Sequence, residues 1–157
     1  MTQVTPAEIG RIALFAGLPE PDLRAVAQVA RRRHLDDSEV LFEQGQPART
    51  LHSVVGGGLV LRADVDGRSV IVDSVGPGDI IGWSSIRDGA VSLATARATG
   101  ATEVIDIPVD VIVDLAAGRS TESAMLVRRI VGLAAGHLEA SWNQLLRAGS
   151  EGVITGG

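Results

Sequence analysis

Residues 50–82, TLHSVVGGGLVLRADVDGRSVIVDSVGPGDIIG, decide the fold. Their apolar residues fall in short β-branched runs with a period of two, the pattern of half-buried strands. Asp66-Gly67, between LVLRADV and RSVIVDSV, is the clearest hairpin. A two-residue turn of that type needs positive φ at both centres, which Asp tolerates and Gly favours. Gly56-Gly57-Gly58 and Gly76-Pro77-Gly78-Asp79 punctuate the runs on either side. Many short strands joined by glycine turns predict a small β-sandwich or barrel.

The same period extends outward, through EVLFEQG (39–45) before this stretch and ATARATGATEVIDIP (94–108) after it. Residues 6–33 instead read as helical. Leu14, Leu18, Leu23, Val26, Val29 and Ala30 recur at helical spacing, broken by GLPEPD, which restarts a helix at Pro21. Helical character returns after Pro108 and persists to about Ala148. The expected architecture is mainly β with flanking helices in one domain, 1–157. It comprises N-terminal helices (1–33), a β-roll or jelly-roll barrel (34–107), helices (108–148) and a free tail (149–157).

The last helix carries two apolar stripes. Ser120 or Thr121 can cap its start. Ala124, Val127, Val131, Ala134, Leu138, Ser141, Leu145 and Ala148 then alternate spacings of three and four, a heptad seam suited to an identical partner helix. Met125, Leu126, Ile130 and Leu133 form a second stripe for the chain's own roll. A helix with two apolar faces needs two partners, and its length, roughly 40 Å at 1.5 Å per residue, exceeds what the domain needs for itself. A homodimer through this helix is expected.

Composition narrows the function classes. With 157 residues and 45% hydrophobic content, the chain can bury a real core. The only aromatic residues are Phe15, Phe42, Trp83 and Trp142, so that core must be aliphatic. The absence of cysteine excludes disulfides and thiolate chemistry. A net charge of −5 argues against nucleic acid as a partner. The one basic run, Arg31-Arg32-Arg33, reads as a solvated helix end or edge, or else a contact patch. No signal peptide and no membrane span is recognisable, so a cytoplasmic protein is expected. His34, His52 and His137 lack metal-ligand spacing, and no Ser-His-Asp set stands out. The glycines of GGGL and GPGD lie in hairpins and not between a strand and a helix, which removes the dinucleotide and P-loop readings. A non-enzymatic protein without metal or cofactor is expected.

Four stretches then support a resemblance over about residues 12–148: LFAGLPEPDLRAVAQVA, EVLFEQGQPARTLHSVVGGGLVL, VGPGDIIGW, and GWSSIRDGAVSLATARA with its return strand ATEVIDIP. Together they resemble the cyclic-nucleotide-binding domain of catabolite-activator-type regulators, kinase regulatory subunits and gated channels. The resemblance implies a sensor domain whose phosphate-binding cassette is residues 82–98. In that family a Gly is followed by a Glu that accepts from the ribose 2′-hydroxyl. A short helix then presents free N–H groups to the cyclic phosphate, and an Arg about ten residues on pairs with it. Aligned without gaps, Gly82 matches the Gly, but Trp83 stands where the Glu belongs and Ser92 where the Arg belongs. Such regulators carry a helix-turn-helix after the dimer helix; only GSEGVITGG follows Ala148 here, so a stand-alone sensor that does not bind DNA is expected.

Losing two charge-assisted contacts of about 1.5–3 kcal/mol each removes roughly two to four decades of affinity. Standard cyclic-nucleotide binding is therefore not expected. Ser84, Ser85, Arg87, Ser92, Leu93 and Thr95 are the remaining cassette candidates for a ligand. Arg87, four residues after Trp83, either turns toward the pocket or faces solvent, and Arg97 is either a return-strand contact or a surface residue. Ser141 and Trp142 on the last helix either meet a ligand's ring or pack the dimer seam. Two functions stay open: a divergent sensor or interaction module for an unusual small ligand or protein partner, and a nucleotide-binding regulator with a rearranged cassette.

Overall fold

The computed structural model describes residues 2–154. α1 (Pro6–Gly10), a 3-10 turn (Ala13–Phe15) and α2 (Glu20–Val29) come first. Eight strands follow: β1 (Arg31–Leu35), β2 (Val40–Phe42), β3 (Thr50–Gly56), β4 (Leu59–Val65), β5 (Arg68–Val75), β6 (Ile80–Ile81), β7 (Thr95–Ala98) and β8 (Thr102–Pro108). A second 3-10 turn (Trp83–Ile86) interrupts them, and α3 (Val109–Ala116) and α4 (Thr121–Ile154) complete the described chain. The strands form two antiparallel four-stranded sheets, ordered β1-β8-β3-β6 and β2-β7-β4-β5. The mainly β roll with flanking helices is the expected fold.

The hairpin is as the sequence dictates. Val65 pairs with Arg68 across Asp66 (φ 50°) and Gly67 (φ 77°), the doubly positive turn that matches strand twist. Alternation along the strands builds two cores. Leu35, Val54, Leu59, Leu61, Ile81, Ala96 and Val104 fill the space between the sheets. Leu51, Ile105 and Ile107, of opposite parity, face a second core made by Ile9, Leu14, Phe15, Val26, Ile112 and Leu126 of the helical elements. The first sheet is thus covered on both faces, which is why TLHSVV and VIDI read as near-continuous apolar runs.

The helical reading of residues 6–33 needs correction at its end. α2 stops at Val29, and Arg31-Arg32-Arg33 lies in strand β1 and not at a solvated helix end. β1 pairs with β8, so successive arginines point to opposite faces. Arg32 is nearly buried and binds two carboxylates, Glu8 of α1 and Glu103 of β8. The Thr5 backbone N–H, donating at 2.8 Å, and then the Arg32 guanidinium hold the Glu8 carboxyl below its ordinary value of 4.5. The run is a structural clamp between the N-terminal helix and the roll.

α4 is 34 residues long, about 51 Å. Ser120 caps it, its hydroxyl accepting from Ser123 N at 3.1 Å. Leu126 is buried, Met125 and Ile130 pack on the helical core, and Arg129 donates to the carbonyls of Leu14 and Ala16. The helix continues past Ala148, so residues 149–154, expected in a free tail, are helical. Residues 155–157 lie outside the described residues. Val131, Leu138 and Leu145 of the heptad seam are 62%, 71% and 67% exposed. No helix among the described residues is long and apolar enough to cross a membrane.

Candidate functional site

The cassette starts where β6 reaches Gly82. This residue has φ 92°, and a Cβ built on it would lie 2.5 Å from the Thr50 carbonyl oxygen and 3.2 Å from the His52 ring. Only glycine meets both conditions. The chain then enters the 3-10 turn Trp83–Ile86, returns through 87–94, and joins β7.

A cavity of about 280 Å³ opens against this segment. Phe42, Leu61, Ile81 and Ala94 form its apolar wall, Gly82, Trp83, Ser84, Ser92 and Leu93 supply the cassette side, and Val72, Asp73 and His137 complete it. Five of the residues singled out from sequence are therefore brought together: Gly82, Trp83, Ser84, Ser92 and Leu93. Trp83 is a fixed wall, half-buried, its indole N–H donating to the Ile80 carbonyl at 2.9 Å. Ser92 is buried, and its backbone is held by Gln46 and Gly45.

Other candidates are placed elsewhere. Ser85 is buried with its hydroxyl donating to the Gly82 carbonyl at 2.7 Å, so it closes the turn and does not line the cavity. The Thr95 hydroxyl accepts from Gln44 N at 3.0 Å. Arg87 follows the 3-10 turn, is exposed, and lines a different surface cavity with Arg49, Asp88 and Asp110. The pocket-facing alternative for Arg87 is thus not realised, because the turn ends before a full helical face can form. Arg97 is a surface residue that donates to the Ser38 carbonyl at 2.6 Å. Trp142 is 61% exposed and lies beside Leu138, Glu139 and Asn143, apart from the cassette cavity within one chain. The side chain of Ser141, like that of Ala148, lies outside the described residues.

The structure adds residues that the motif reading missed. His137 brings α4 to the cavity, with Nε2 3.8 Å from Asp73 Oδ2 on β5. Val72 and Phe42 come from β5 and β2, outside the cassette stretch. Their one signal was that both are large apolar residues on strands of the second sheet. No arginine lines this cavity, and the chain contains no lysine. No group of three or more His, Asp or Glu is placed to hold a metal ion among the described residues.

Comparison with known proteins bears on this geometry. A putative cyclic nucleotide-binding protein from Geobacter metallireducens superposes with a TM-score of 0.72 at 23% identity, over 86% of this chain and 98% of its own. A cyclic nucleotide-binding-like protein from Brucella abortus is 31% identical over 68% of this chain and 91% of its own, with a TM-score of 0.57. A cAMP-binding acyltransferase from Mycobacterium smegmatis matches with a TM-score of 0.69 at 24% identity, over 86% of this chain but 41% of its own. No curated protein matches the sequence. The family described as the cyclic nucleotide-binding domain matches residues 32–119, more than half the sequence. The chain belongs to the cyclic nucleotide-binding domain family.

Proposed function

We propose that the protein is a non-enzymatic, cytoplasmic regulatory or ligand-sensing module whose cassette has lost the phosphate function. The observation that carries this reading is the charge of the cavity wall. Where the family pattern calls for a Glu and an Arg stand Trp83 and Ser92, both in the wall, and no arginine lines this cavity among the described residues. The wall's ionisable groups are Asp73 and His137 at the strand and helix side. Backbone donors alone do not offset the desolvation of a phosphodiester anion. The cavity instead suits a largely apolar ligand.

Regulation in this reading passes through α4, which meets the cavity at His137 and presents its exposed seam to a second copy. A net charge of −5 disfavours direct contact with DNA phosphates. The rearranged-cassette reading draws on Ser84 and Ser92, both cavity-lining, as uncharged donors to a nucleotide. Calorimetric titration with cyclic AMP and cyclic GMP separates the two. Dissociation constants weaker than about 100 µM are expected, and low-micromolar binding overturns the proposal in favour of the rearranged cassette.

A further inference from the structure

A second cavity, about 260 Å³, lies between β1, β2, β3 and β8, and among its lining residues are Arg33, Phe42, Arg49, His52, Ser92 and Asp106. Its polar groups are organised. His52 and Asp106 are directly opposed in the β3–β8 register, and His52 Nδ1 lies 2.7 Å from Asp106 Oδ1. The His52 ring is held against Phe42, with centroids 5.3 Å apart. Asp106 Oδ2 lies 3.2 Å from Arg33 Nε, and Arg33 Nη2 donates to the Leu41 carbonyl at 3.2 Å. Asp106 is thus committed to His52 and Arg33. Arg49 has no ion pair and no side-chain hydrogen bond among the described residues, and it is exposed at the edge of the cavity. In this cavity two guanidiniums face one carboxylate, and Arg49, which also borders the surface cavity of Arg87, Asp88 and Asp110, is the one without an ion pair.

This cavity adjoins the cassette cavity, since Phe42, Gly82 and Ser92 line both. Ser92 is a small side chain at the junction, standing where the family pattern has an arginine. We infer that the two cavities form one site for an amphipathic monocarboxylate. Its apolar body lies against Trp83, Leu61 and Ile81, and its carboxylate reaches past Ser92 toward Arg49 and Arg33. The guanidinium of Arg49, which has no ion pair among the described residues, is the group that a carboxylate would meet. A carboxylate extends from the end of its apolar body, whereas a cyclic phosphate is fused to its ribose. Together the cavities fall within the roughly 300–1,000 Å³ usual for small-molecule sites. The inference rests on the proposed loss of phosphate recognition in the cassette and names the ligand class that replaces it.

The probes are octanoate, its uncharged counterpart octanol, and inorganic phosphate. Binding is followed by the fluorescence of Trp83 in a Trp142→Phe background and checked by calorimetry. Octanoate is expected to bind about tenfold or more tightly than octanol, and phosphate alone not at all. Arg49→Ala, at an exposed position, should erase the octanoate advantage while leaving octanol binding unchanged, and Arg49→Lys should keep part of it. Equal binding of octanoate and octanol, an advantage that survives Arg49→Ala, or no binding of either probe overturns the inference. Low-micromolar binding of cyclic AMP to the same sample overturns the cassette reading instead, whatever octanoate does.

Discussion

The indole N–H of Trp83 donates to the carbonyl of Ile80 at 2.9 Å, three residues back along the chain. The bond pins the Trp83 side chain across the junction of β6 and the 3-10 turn, so this residue is a fixed wall of the cavity. A half-buried indole with its donor satisfied is a stable arrangement.

Restoring both charges should restore the ligand. The double variant Trp83→Glu, Ser92→Arg is expected to raise cyclic AMP affinity by about two decades or more, since each contact contributes about 1.5–3 kcal/mol. Calorimetry on the double variant and both single variants checks this. An unchanged affinity would mean that cavity shape, and not the missing charges, excludes the nucleotide.

Two glycines with the same backbone angle should respond differently to alanine. Gly78 and Gly82 both have φ 92°, but a Cβ at Gly78 meets open space while one at Gly82 strikes the Thr50 carbonyl at 2.5 Å. Gly78→Ala should cost about 1–2 kcal/mol from the left-handed conformation alone. Gly82→Ala should cost about 2–4 kcal/mol, the overlap adding to the conformational term. Chemical denaturation of the two variants gives the difference directly.

Acid should loosen the N-terminal clamp. Because the folded Glu8 carboxyl sits below its ordinary value of 4.5, its stabilisation is fully present above that pH. The contribution is lost as the pH falls through the depressed folded value. Thermal unfolding between pH 7 and pH 3 should therefore show a larger loss in the wild type than in Glu8→Gln. At pH 7, Arg32→Ala should cost about 2–3 kcal/mol, because it leaves Glu8 and Glu103 partly buried without their cation.

The exposed seam of α4 predicts self-association. Leu138 is 71% exposed at mid-seam. Leu138→Asp would set two carboxylates against each other across a two-fold axis, a cost of several kcal/mol by order of magnitude. Light scattering is expected to give a wild-type dimer and a Leu138→Asp monomer with unchanged β-type circular dichroism. A wild-type monomer at high micromolar concentration removes the dimer from the proposal.

The roll was legible because its signals are local: Asp66-Gly67 fixes a turn, and alternation fixes faces. The turn after β6 was legible for the same reason, Gly82 and the short helical stretch after it lying within one short segment. What escaped depends on register. Arg31-Arg32-Arg33 carries no apolar alternation, and its strand is decided by Glu8, Glu103 and Asp106, distant in sequence. Likewise His52 finds Asp106 only once β3 and β8 are aligned. The available hint was physical: a polar residue inside an otherwise buried strand requires a partner. The destination of Arg87 turned on a single turn being 3-10, which spacing alone does not reveal.

The anchoring of α4 has a mechanical consequence. Its docked stretch includes Leu126, Arg129 and His137, the last beside the cavity, while Leu138, Trp142, Leu145 and Leu146 beyond it are exposed. The helix is thus a lever with its fulcrum at the cavity and an arm of roughly 25 Å, so a ~10° tilt at His137 would carry the far end about 4 Å. A rearrangement too small to disturb the roll is magnified at the seam into a displacement large enough to change which side chains meet there.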